Sequence, residues 1–96
     1  MEIERTPGFE RSLRERANRR IKRLFRDRLS LFLKNPYDES LRNHALKHRW
    51  AGHRSFSLTD DRGEDDYRVV FRRVKGRYVF IDFGTHAQLY RPWQDE

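Results

Sequence analysis

A chain of 96 residues with 22 Lys and Arg against 15 Asp and Glu, a net charge of +7, and 35% hydrophobic residues has room for one domain, residues 1–96, and one modest core. The absence of cysteine excludes a disulfide framework and a thiolate metal site, and the sequence shows neither a signal-peptide run nor an apolar stretch able to span a bilayer. The expectation is a cytoplasmic protein with no membrane partner, attracted to phosphate backbones or an acidic protein, and folded because seven Phe, four Tyr and two Trp supply buryable surface.

Ile3 followed by Thr6-Pro7 predicts a short strand, then a helix capped by Thr6 with Pro7 in its first turn. From Phe9 to Leu33 the apolar residues Phe9, Leu13, Ala17, Ile21, Leu24, Phe25, Leu29, Phe32 and Leu33 recur at steps of three and four. One long helix and two helices broken near Asn18 both fit this stripe; a hairpin of two is favoured. The first 34 residues hold eleven Lys and Arg against five Asp and Glu, so the opposite face is strongly basic. Asn35-Pro36-Tyr37-Asp38 ends the helical region, and a loop runs to about His44. Strands are expected at 54–58, 67–74 and 77–83, joined by an acidic connection at 60–66 and a tight Lys75-Gly76 turn, which makes a meander.

Four histidines, His44, His48, His53 and His86, supply groups suited to proton transfer near neutrality. Their spacing fits neither a helical HExxH motif nor a zinc finger, so no metal and no cofactor is expected. RNA cleavage needs none when the 2′-hydroxyl attacks its neighbouring phosphate, because the substrate itself holds the nucleophile. The protein must supply a base, an acid and a cation near the phosphate. His44 and His86 suit the first two roles, Arg68 and Arg54 suit phosphate clamps, and Tyr90 suits stacking on a splayed base. The plainer readings make His48 and His53 polar surface, Arg68 a cation reaching off a strand, Tyr90 a lid on the core, and Trp50 a packing anchor.

Three segments taken together, Leu41 to Arg54 with its His44-x-Leu46 and Trp50-x-Gly52-x-Arg54, Asp66-Tyr67-Arg68-Val69-Val70-Phe71, and Ile81-Asp82-Phe83-Gly84-Thr85-His86-Ala87-Gln88-Leu89-Tyr90, resemble the RelE/ParE toxin superfamily, in particular its YafQ-like branch. The resemblance covers nearly the whole chain. It implies an α+β fold, with an N-terminal helical hairpin packed on a small twisted antiparallel sheet. It also implies a bacterial type II toxin that cuts mRNA on the translating ribosome and is held inactive by a cognate antitoxin. Carried over by position, His44 and His86 match the two outer histidines of the site, Asp61 (or its neighbour Asp60) the acidic residue after the first long strand, Tyr90 the terminal aromatic, and Arg68 a phosphate-contacting arginine. Arg54, His53, Lys47 and Arg49 are the expected RNA contacts. One position departs from the pattern: Ser57 stands where the YafQ-like branch has a further histidine. His53, four residues away on the same expected strand face, can fill that role, or His44 and His86 can act alone. A ParE-like inhibitor of DNA gyrase and a binding module without catalysis are the alternatives, and His86 favours the nuclease.

Overall fold

The computed structural model describes residues 1–59 and 66–94. Strand β1 (Glu2–Arg5) leads into helix α1 (Pro7–Arg16), where the Thr6 hydroxyl accepts the Phe9 amide at 3.1 Å and Pro7 takes the first helical position. Helix α2 (Arg19–Lys34) begins as the Asn18 carboxamide accepts the Ile21 amide at 2.9 Å. Ala17 and Asn18 have extended backbone, so the stripe is folded into two helices and the hairpin forms. Phe9, Leu13, Ala17, Ile21, Phe25 and Phe32 are buried along it, whereas Leu33 departs from the expected stripe and is exposed. The chain leaves α2 at Asn35-Pro36, as the proline requires.

A short 3-10 turn (Glu39–Leu41) precedes the two-residue strand β2 (His44–Ala45), and a second (His48–Trp50) precedes β3 (Arg54–Ser57). Strands β4 (Tyr67–Val74) and β5 (Arg77–Thr85) complete a five-stranded sheet in the order β1-β5-β4-β3-β2. The meander β3–β4–β5 is antiparallel as expected, and Lys75 and Gly76, with φ of 50° and 81°, make its tight turn. The sheet is nevertheless mixed: β1 runs parallel to β5, with Glu2 opposite Arg77 and Arg5 opposite Phe80. A parallel pair needs a long crossover, and here everything between the two strands serves as one.

Phe9, Phe25, Phe32, Phe56, Phe71, Phe80 and Phe83 fill the space between the hairpin and one sheet face. Val69 belongs to that core while its neighbour Val70 points to the other face, as strand alternation dictates. There Val70 packs with Leu46, Trp50, Leu89 and Tyr90 beneath a third helix, α3 (His86–Gln94). The sequence reading stops the last strand near Gly84 and has no helix after it. In the structure β5 continues through Gly84, and α3 starts with a reciprocal cap in which the Gln88 amide donates to Thr85 Oγ1 at 3.2 Å and the Thr85 amide donates to Gln88 Oε1 at 2.9 Å.

Candidate active site

The site is built where β2, the turn after it, β4 and the first turn of α3 meet. His44, Ala45, Leu46, Lys47, His48, Arg68, His86 and Tyr90 line a cleft of about 390 Å³ there. His44 sits on the edge strand β2, held by pairing with Ser55. Its Nδ1 lies 2.7 Å from the Arg42 carbonyl oxygen, so Nδ1–H donates and Nε2 is left as the nitrogen with a lone pair. Arg42 and His48 both have left-handed backbone, with φ of 51° and 58°. Neither is glycine, and this strained pair brackets the segment that forms one rim of the cleft.

The other rim is α3. His86 occupies its first position, and one turn later Tyr90 brings its ring to 4.8 Å from the imidazole at a tilt of 31°. Tyr90 is only 9% exposed and belongs to the second core, so it is both a lid on that core and a wall of the cleft. Burial pushes its phenol pKa up, against the opposing pull of the Arg68 charge and a hydrogen bond from the Lys47 backbone. The hydroxyl is therefore protonated at neutral pH and can donate. Trp50 fastens the two rims together, since its indole N–H donates to the Leu89 carbonyl at 3.0 Å.

Arg68 forms the floor, across from Ser57 on β3 and Gly84 on β5. Its terminal nitrogen meets the Asp66 carboxylate at 2.6 Å, both side chains being largely buried. Its Nε is buried, shut off from solvent, and without a hydrogen-bond partner among the described residues. Ser57, the departure from the family pattern, is 2% exposed and leaves this part of the floor without an imidazole.

The expected residues are thus divided. His44, Lys47, Arg68, His86 and Tyr90 share the cleft. Arg54, His53 and Arg49 are not among its lining residues. Arg54 Nε donates to Asn43 Oδ1 at 2.7 Å, and its guanidinium lies over the Tyr37 ring, so it braces the loop before β2. Arg49 covers Trp50, and His53 meets the same indole edge-on at 5.4 Å. Asp61 and Asp60 lie outside the described residues. Two cleft-associated residues escaped the sequence reading: His48, which it leaves as polar surface, and Asp66, the carboxylate that holds Arg68. Among the described residues no three His, Asp or Glu side chains are grouped to hold a metal ion, and no helix is long and apolar enough to cross a membrane.

Residues 1–91 match the family model for YafQ, described as a bacterial toxin of a type II toxin–antitoxin system. No curated protein sequence gives a significant match. The structure is similar to YafQ from E. coli strain BL21(DE3), with a TM-score of 0.72 and 20% identity over 93% of this chain and 97% of that one. It is also similar to a chain of the E. coli DinJ–YafQ toxin–antitoxin complex, with a TM-score of 0.70 and 18% identity over 93% and 96% of the two chains. A YoeB/ParE toxin from Agrobacterium tumefaciens gives 0.66 at 21% identity over 90% and 99%. These structures share the fold, and the family match spans almost the whole sequence. The chain belongs to the YafQ family of bacterial toxins of type II toxin–antitoxin systems.

Proposed function

We propose that this toxin is a ribosome-dependent mRNA endoribonuclease that cleaves by attack of the 2′-hydroxyl on its adjacent phosphate, without a metal. The observation that carries the reading is that three imidazoles, those of His44, His48 and His86, line one cleft with Arg68 and Lys47. His44 Nε2 takes the 2′-hydroxyl proton as the O2′–P bond forms. The P–O5′ bond breaks and His86 protonates the departing O5′, leaving a 2′,3′-cyclic phosphate and a 5′-hydroxyl. Arg68 and Lys47 stabilise the charge that shifts onto the phosphate oxygens. Tyr90 backs the His86 ring and offers its hydroxyl as a further donor.

The ribosome presents the message in the cleavable geometry, which relieves the small site of part of that task. Action on ribosomes implies the cytoplasm as the place of work. The natural partner is a cognate antitoxin, a reading supported by the likeness to the DinJ–YafQ complex. An acidic antitoxin segment laid over the cleft neutralises Lys47 and Arg68 and excludes RNA.

The test is cleavage of an mRNA on programmed ribosomes by the purified protein. His86→Ala is expected to lower the rate by roughly a hundredfold or more, the usual weight of a general acid. Undiminished cleavage by that variant, or none by the wild type, removes the proposal. Bound antitoxin that left cleavage intact would remove the blocking role assigned to it.

A further inference from the structure

The outer edge of β5 is covered in two different ways. As far as Phe80 it is paired with β1, and beyond that register side chains take over. Thr6 donates from its amide and its hydroxyl to the Phe80 carbonyl, at 3.2 and 2.9 Å. Ser12 donates to Asp82 Oδ1 at 2.6 Å, the same oxygen accepts the Phe83 amide, and Arg16 donates to the Phe83 carbonyl at 2.9 Å. Helix α1 thus stands in for a missing strand along the segment that delivers His86.

On the far side of that segment Gln88 closes the reciprocal cap with Thr85, the residue before His86. The two arms converge at Gly84. A Cβ there would lie 2.9 Å from Arg16 Nη1 and 2.9 Å from Gln88 Oε1. Gly84 is therefore a point of close approach, where a side chain would have to displace the ends of one arm from α1 and one from α3. We propose that Arg16 and Gln88 are positioning residues that meet over Gly84 and fix His86 against the His44 rim of the cleft. The proposal rests on the reading of His86 as an acid–base residue. Neither Arg16 nor Gln88 lines the cleft, so each acts through backbone. Displacements of an ångström at a reacting group are costly enough for such an effect to be measurable.

The experiment compares wild type, Arg16→Ala, Arg16→Lys, Gln88→Ala, Gln88→Glu and His86→Ala in single-turnover cleavage of a messenger on programmed ribosomes. Ring carbon–proton NMR spectra of His44 and His86 are recorded on the free proteins. Arg16→Ala and Gln88→Ala are expected to lower the maximal rate tenfold or more, with the half-saturating ribosome concentration unchanged within twofold. They should shift the His86 ring resonances and leave those of His44 in place. Arg16→Lys and Gln88→Glu, which keep a donor on the one arm and an acceptor on the other, should restore most of the rate. If Arg16→Ala does not fold, the Gln88 pair decides. Wild-type rates and an unmoved His86 resonance in Arg16→Ala and Gln88→Ala, with His86→Ala inactive, overturn the positioning role and spare the nuclease reading. A wild-type rate in His86→Ala overturns both, by the loss of their common premise.

Discussion

Arg68 and Asp66 are a largely buried ion pair inside the cleft, and each depends on the other. Arg68→Ala leaves the Asp66 carboxylate buried and unpaired, which is expected to cost about 3 kcal/mol in urea unfolding as well as most of the cleavage rate. Arg68→Lys keeps the charge but loses the planar fork, so its rate should stay well below wild type. Tyr90 supplies a pH signature. Burial raises its folded pKa, so the folded state is the tighter proton binder. That stability is whole below the ordinary tyrosine range and is lost as pH rises through the raised folded value. Unfolding free energy should fall on that alkaline side in wild type and more weakly in Tyr90→Phe, and difference absorbance of the two should place the ionisation above the usual range. That His44, Arg68, His86 and Tyr90 belong together was legible in the sequence through residue chemistry and the family resemblance, and all four line the cleft. Asp66 was not, since in a run of acids it reads as solvated loop until its pairing with Arg68 is seen.

The elements owe their boundaries to a few short side chains. Thr6→Ala removes the cap of α1 and also a donor to the Phe80 carbonyl, and Asn18→Ala removes the cap of α2. Each should lose about 1 kcal/mol by chemical denaturation, Thr6→Ala the more of the two. Within the core, Phe32 stacks on Phe56 at 4.6 Å and meets Phe71, Tyr78 and Phe80 edge-on. Phe32→Ala should cost roughly 3–5 kcal/mol in the same measurement, because so large a cavity cannot collapse. The hairpin and the meander were readable from periodicity, capping residues and turn chemistry. The parallel setting of β1 was not, because a four-residue strand carries no mark of its direction. Helix α3 was hidden by Gly84, which looks like a stop and is instead a point of close approach. The Thr85-x-x-Gln88 spacing was the sign that it continues.

At the scale of the whole molecule the positive charge lies on both sides of the sheet. Besides the cleft, Arg5, Arg19, Lys22 and Arg26 line a groove of about 400 Å³ floored by Leu13 and Phe25. Engagement of ribosomes through such surfaces should weaken about tenfold or more between roughly 50 and 200 mM salt, as titrations of ribosome binding would register. The pairing of β1 with β5 has a further consequence, for the order in which the fold closes. Glu2 lies opposite Arg77, about 75 residues further along the chain, whereas β4 meets β5 through a tight turn. Contacts so distant in sequence carry a larger loop-closure cost than a hairpin does, so β1 is expected to join the sheet after β4 and β5 have paired.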